Sequence, residues 1–291
     1  MAASTDKRNR YNLIVGAPNV KAAGGIQIGE PITNTENYPE SASAVVAPEL
    51  GLVPAGHITE DGVTKTVDRS TEKIKDWNGD TVLVLDSDHS ASLKLTFMES
   101  ANVNVLRTVY GPQNVVISNG GKSIRIAENA EPLANISVMF DIKGGKGARI
   151  RVLAPDVQVT NVGDVQWVKA GVVKYEVTLE CFPDVDGNKL YQWLDRDNVD
   201  PDDFTRKLTL PSGASSGTWD LTVDGYTATG LAHNAQGTTV QSKIREAGAK
   251  TVEVRGNGPY TITNAVSVAV NTTALKGGSG EAKVERGSAD G

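Results

Sequence analysis

The sequence predicts a mainly β protein, and three observations carry that prediction. Glycine accounts for 30 of 291 residues while aromatic residues make up 5%, a balance that favours many strands and turns over long helices. Apolar residues recur at every second position: Ala91, Leu93, Leu95, Phe97; Ile136, Val138, Phe140, Ile142; Val173, Tyr175, Val177, Leu179, Cys181. A period of two marks a half-buried strand. The pairs Asp61-Gly62, Asn78-Gly79 and Asp224-Gly225 read as turns, since Gly accepts positive φ without a Cβ clash. The length suits one large domain or two ordinary ones. The pattern divides into a domain over 1–205, a smaller unit over 206–275 and a tail over 276–291.

In chain order, residues 1–10 are polar and read as a flexible arm, and residues 13–15 as a short strand. The N-terminus has no long apolar run and reads as lacking a signal peptide. No stretch approaches the roughly 20 apolar residues that span a bilayer. The expectation is a protein folded in a cytoplasm, with no membrane insertion. Residues 22–54 are rich in Gly, Pro, Thr and Glu without periodicity, which reads as a long extended segment.

Residues 56–97 organise the rest. Val63 and Val67 alternate with Thr64 and Thr66, and the pattern then dissolves into Asp68, Arg69, Glu72, Lys73, Lys75 and Asp76. A strand charged on both faces cannot lie in its own core; it stands in water or pairs with another surface. After Asn78-Gly79 come Val82, Leu83, Val84 and Leu85, a polar turn over 86–90, and the alternation into Phe97. A helix follows, capped by Ser100 and running through Val109. Leu106, Val109 and Tyr110 share a face with Val103 beside it, and Gly111-Pro112 stops it. Strands resume over 115–117 and 123–126. The clearest hairpin joins 136–142 to 148–152 through Lys-Gly-Gly-Lys-Gly at 143–147. Its outward partners are Ser137, Asp141, Arg149 and Arg151. The next strand, 173–181, carries Lys174, Glu176, Thr178 and Glu180 on its second face.

Residues 182–204 are acidic and read as a linker with a short helical turn over 190–194, with Trp193 and Phe204 as anchors. From Lys207 a second unit begins: strands 219–223 and 226–231, a helix over 238–247, and strands around 252–254 and 260–262. This is a small α+β, ββαββ-like arrangement. Residues 276–291 are Gly-, Ser- and charge-rich and read as disordered.

Little in the sequence carries chemistry. A net charge of −6 argues against a general nucleic-acid binder. Cys181 is the sole cysteine, so no intramolecular disulfide forms, and its place on the apolar face reads as a small buried side chain. His57, His89 and His233 lie in no metal-binding spacing. Asp86, Ser87 and His89 supply the letters of a triad, but as sequence neighbours, whereas triads assemble from separate elements. Asp184-Val-Asp186-Gly-Asn188 brushes a calcium loop with its Gly at the fourth position instead of the sixth; Asp195, Asp197 and Asp200 have ligand-like spacing without the Gly. The Lys-Gly-Gly-Lys-Gly tip lacks the spacing and helix of a phosphate loop. No catalytic residue, metal or cofactor is expected.

The Gly-x-Ile-Thr-x-Asp-Gly opening at Gly56, the polar segment ending in Trp77-Asn78-Gly79-Asp80, the strand into Phe97, and the short helix before Tyr110-Gly111 together resemble the major tail tube proteins of long-tailed (siphovirus-type) bacteriophages infecting actinobacteria. The likeness runs from about residue 11 to 206. The later stretches GTWDLTVDGYTATGLAHNA, TVQSKIREA and VEVRGNGPYTIT resemble small add-on domains of phage virion proteins. The resemblance implies a β-sandwich or partly rolled barrel with one flanking helix. It further implies hexameric rings stacked head-to-tail into a hollow tube, made in the bacterial cytoplasm and placed in the virion tail. Partners would be other copies, with tape measure, tail terminator and baseplate or distal tail proteins, and DNA would pass without specific binding.

The N-terminal arm and long loops would then order on assembly. Arg69, Glu72, Lys73, Lys75 and Trp77 would contact the neighbouring subunit or ring. Asp141, Glu176 and Glu180 are the candidates to face the lumen, where carboxylates would repel phosphate. The main rival is a peripheral adhesin or receptor-binding module contacting host glycans, against which the low aromatic content weighs. An enzyme such as a wall-degrading hydrolase is a distant third.

Overall fold

A computed structural model describes residues 17–18, 25–144, 147–197 and 199–289. The arm expected over 1–10 and the strand over 13–15 lie outside the described residues. The chain divides into two compact units, residues 1–198 and 199–291.

In the first unit nine strands form one antiparallel sheet: β1 (Ala17–Pro18), β2 (Ile26–Gly29), β3 (Val53–Pro54), β4 (Ile58–Lys75), β5 (Thr81–Phe97), β8 (Ile136–Lys143), β9 (Arg149–Val162), β10 (Tyr175–Cys181) and β11 (Tyr191–Asp195). The main order is β3-β2-β8-β9-β10-β5-β4, with β1 on β8 and β11 on β9. A separate hairpin joins β6 (Val115–Ser118) to β7 (Ser123–Ile126). The long β9 has β8 along one side; β11 and then β10 follow each other along the other. Among the described residues the unit is mainly β with one flanking α-helix, as the patterning implies.

One face of this sheet holds the core. Leu93, Leu95 and Phe97 of β5, Val177 and Leu179 of β10, Val157 of β9 and Phe140 of β8 pack with Val105, Leu106 and Val109 of the helix α1 (Val103–Tyr110). Each such side chain contributes about 1.5–3 kcal/mol by leaving water, which is what holds an eight-residue helix too short to persist alone. The cap of α1 is Asn102, not Ser100: its side chain accepts from Asn104 N. Cys181 is buried, as its alternation predicts, and burial pushes its thiol up to about 11.

The second face of β8 and β9 is covered too, by the segment read as a loop that orders only on assembly. Ile32 N donates to Pro155 O and Ser137 Oγ to Glu30 O. Ala42 N and Ser43 N donate to the Asp195 carboxylate at 3.2 and 2.7 Å. Arg151 Nη1 reaches Ala44 O at 2.7 Å. These bonds hold residues 30–44 on their own chain.

Four further local expectations change. Asp61-Gly62 is not a turn: it lies inside β4, where the register shifts between Ile58 and Val63, and Gly62 adopts φ 70°. Positive φ serves a bulge as well as a turn. Residues 86–90 belong to β5, paired across to β4. Residues 190–194 form no helical turn; β11 pairs with β9, Trp193 opposite Arg151.

The fourth lies in the second unit. The expected disordered tail over 276–291 contributes a strand, β19 (Lys283–Arg286), paired with β12 (Arg206–Thr209). This unit also holds β13 (Ser216–Val223), β14 (Tyr226–Ala232), α2 (Gly237–Glu246), β15 (Glu253–Arg255), β16 (Tyr260–Thr263), β17 (Val268–Asn271) and β18 (Leu275–Lys276). They make two small sheets, β15-β16-β12-β19 and β14-β13-β17, with β18 on β13. Trp219, Leu221, Val240, Ile244, Tyr260 and Ile262 are buried together, and Trp219 Nε1 donates to Ala232 O at 2.9 Å.

Candidate assembly surface

The most exposed strand pair among the described residues is the β4–β5 arm. Its turn is built by Asp76, whose carboxylate accepts from Asn78 N and Asp80 N at 3.0 and 2.8 Å, while Gly79 adopts φ 86°. From there the two strands pair through Ile74↔Leu83, Lys73↔Val84, Glu72↔Leu85 and Arg69↔His89, with register shifts between Ile74 and Lys75 and between Ser70 and Thr71. β10 accompanies β5 only from Ser92 to Phe97, so the outer half of the ribbon has two strands. At about 3.3 Å per residue it extends roughly 35 Å beyond β10. Two strands alone are marginal in water.

The arm also exposes apolar surface. Trp77 at the tip is 101% exposed, and Val82, Leu83, Val84 and Leu85 are 62, 51, 51 and 44% exposed. Arg69, Glu72, Lys73 and Lys75 are exposed on β4, which is the last strand on its side of the sheet. Natural sheet edges carry charges to discourage indiscriminate pairing.

Behind the arm, the non-core face of the sheet is polar. Glu176 is opposite Thr96, Thr178 opposite Lys94 and Glu180 opposite Ser92. Lys94 Nζ lies 2.9 Å from Glu176 Oε1, both about half exposed, a pair worth at most about 1 kcal/mol. Asp141 does not join this face. It is 7% exposed and receives Arg151 Nε at 2.7 Å and Nη2 at 3.3 Å. The alternation places it on the second face of β8, but residues 30–44 cover that face, so Asp141 is corrected from a lumen candidate to a buried structural carboxylate.

At the far end of the sheet from the arm tip is a groove of about 550 Å³. Its lining includes Asp61 of β4, Thr96 of β5 with Met98 just after it, and Asp164, Val168 and Val172 from the loop joining β9 to β10. That loop exposes Trp167 by 80%, Val168 by 55% and Val172 by 53%. The sequence reading missed these residues. The only available signal was an apolar cluster, Val165 to Val173, without strand or helix period.

The residues with metal-like or catalytic spacing serve local structure. Asp184 Oδ1 accepts from Asp186 N and Asn188 N, and Oδ2 from Tyr191 Oη and Tyr38 Oη. Burial opposes its charge, but the bond from Tyr191 and the others outweigh it, holding the carboxyl below its usual range. Asp195 binds the backbone of Ala42 and Ser43. Among the described residues no three His, Cys, Asp or Glu are grouped to hold a metal ion. Residues 213–217, Gly-Ala-Ser-Ser-Gly, spell a nucleophile-elbow pattern. They lead into β13 with no helix after the serine, and Ser215 N donates to Lys276 O, so the strand-to-helix turn of that motif is missing.

A family model described as phage tail tube protein matches residues 22–204. No curated protein matches the chain. Among solved structures, the chain is similar to one from the cryo-EM structure of the anti-feeding prophage cap (AFP tube terminating cap), at 9% identity over 67% of this chain and 99% of that one, with a TM-score of 0.33. It is also similar to a chain from the virion of a native gene transfer agent particle, at 12% identity over 62% and 99%, with a TM-score of 0.29.

Proposed function

The chain belongs to the phage tail tube protein family, a structural and not an enzymatic family, and on that premise we propose that it is the repeating subunit of the tube itself. Copies assemble as hexameric rings stacked head-to-tail, and DNA passes through the bore. The observation that carries this reading is the arm: an open edge strand and a run of exposed valines and leucines that the described residues of its own chain leave uncovered. A sheet edge is removed only by closure, and identical copies supply closure in a ring.

In this reading Glu176 and Glu180 face the lumen. A wall that repels phosphate lets DNA slide, whereas a basic wall holds it. Lys94 offsets part of the charge at Glu176, leaving Glu180 as the stronger contributor. Arg69, Glu72, Lys73, Lys75 and Trp77 contact the next subunit or ring, fixing register more than affinity. Residues 199–291 form an add-on unit that decorates the tube surface. Tape measure, tail terminator and distal tail proteins are the expected partners, and an actinobacterium the expected host.

Electron microscopy of the purified protein tests the proposal. Tubes or six-fold rings are expected. Isolated monomers or trimers that bind host cells would replace it with the adhesin reading. A cryo-EM map of a tube whose bore is lined mainly by Lys and Arg would remove the account of DNA passage.

A further inference from the structure

We infer that Glu176 masks the Lys94 ammonium from passing DNA while Glu180 supplies the repulsion, so that two carboxylates on one strand have different roles. The inference rests on the tail tube reading, in which this face lines the bore. It separates two residues which that reading treats alike.

The rows of the ladder carry the argument. Where β10 accompanies β5, Lys94 lies between Thr64 of β4 and Thr178 of β10. The next row holds Thr66, Ser92 and Glu180, and Glu176 faces Thr96. Lys94 is the one cation in these rows, and the residues directly opposite it carry hydroxyls, which cannot neutralise it. Lys174 precedes the paired strand and shares its groove with Asp61 and Asp164. The carboxylates available to Lys94 are its diagonal neighbours, Glu176 and Glu180, one on each side of Thr178. Diagonal positions are within reach of long side chains. Lys94 Nζ takes Glu176, at 2.9 Å from Oε1. Glu180 makes no such pair among the described residues and keeps its charge free.

Stability does not account for the pair. Both side chains are about half exposed, and such pairs add little to folding. Its consequence lies in what a bare ammonium would do. Lysine binds phosphate as a point charge, and the logarithm of affinity for duplex DNA falls with the logarithm of salt at a slope of about −0.9 per phosphate neutralised. For each ammonium engaged, that is a change of about threefold between 50 and 200 mM salt. One lysine per copy, repeated in every ring, would hold the DNA that the bore must release. With Glu176 beside it, a passing phosphate meets a neutral pair instead.

DNA ejection from phage particles carrying variant tail protein, followed with a DNA-binding dye after host cells are added, tests this division. Glu176→Gln and Glu180→Gln remove the same charge, so repulsion alone predicts equal slowing. Masking predicts that Glu176→Gln ejects at least about threefold more slowly than Glu180→Gln in 50 mM salt, with the gap closing by about 200 mM. Adding Lys94→Gln to Glu176→Gln is expected to restore the original rate, because Glu180 then acts alone. Equal rates for the two single variants, or no restoration by Lys94→Gln, would overturn the inference. Where Glu176→Gln builds no tails, the exchanged pair Lys94→Glu with Glu176→Lys decides: it keeps a neutral pair and is expected to eject at the original rate, and slow ejection would refute the mask. Cryo-EM of the same particles separates the two claims. If Glu176 and Glu180 line the bore and the single variants eject alike, the mask alone is wrong; if neither lines the bore, the reading of this face as the lumen falls with it.

Discussion

Replacing Asp141 by Ala is expected to destabilise the first unit strongly. The carboxylate and the Arg151 guanidinium are 8 and 7% exposed and meet through two hydrogen bonds at 2.7 and 3.3 Å. Without Asp141 the guanidinium retains only Ala44 O among these partners, inside a site already closed by residues 30–44. Removing one member of a buried pair typically costs about 3–5 kcal/mol, because a charge is left without a counter-charge. For a unit of this size that corresponds to a fall in Tm of roughly 6–20 °C. Urea unfolding followed by tryptophan fluorescence reads the loss, with Trp193 directly across the ladder from Arg151. The paired variant Asp141→Leu with Arg151→Met is expected to fall within about 1 kcal/mol of the original, since well-packed apolar replacements of a buried pair are often neutral. A loss below about 1 kcal/mol for Asp141→Ala would refute the reasoning. It would mean that water reaches the pair, and Asp141 would again be available to face a lumen.

Three other outcomes follow. Gly56 has φ 78°, and a Cβ there would collide with the Glu99 carboxylate; Gly56→Ala should cost at least about 2 kcal/mol, readable in thermal unfolding, and a neutral result would show that Glu99 moves aside freely. Asp184 has its folded pKa held below the unfolded value, so its contribution is complete above about pH 4 and is lost as pH falls through the folded value; Asp184→Asn should flatten the acid side of the stability profile below about pH 4, and an unchanged slope would contradict the assignment. Val82→Asp with Val84→Asp should block tube formation seen by electron microscopy while leaving monomer stability within about 0.5 kcal/mol, as both side chains are already exposed; normal tubes from this variant would show that the arm is not an interface.

The sequence by itself determined the local periods and the local backbone. Alternation put Leu93, Leu95, Phe97, Val177, Leu179 and Cys181 on one face, and all are buried there. Asn78-Gly79 marked the tip of the arm, and the charges on Arg69 to Lys75 marked a strand that no core would accept. These features are legible because each depends on residues a few positions apart. Only the tertiary structure decided which polar face is covered. Asp141, Glu176 and Glu180 look alike in the alternation, yet residues 30–44 close over the first and leave the other two partly open. That segment has no period of its own, and its hold comes from Asp195, Arg151 and Ser137, more than 100 positions away. Shorter but still non-local separations hid β11, whose five residues become a strand through pairing with β9, and β19, whose Gly- and charge-rich surroundings become ordered through pairing with β12. A side chain's period is written in its neighbours, while its burial is set by whatever the chain later brings across it.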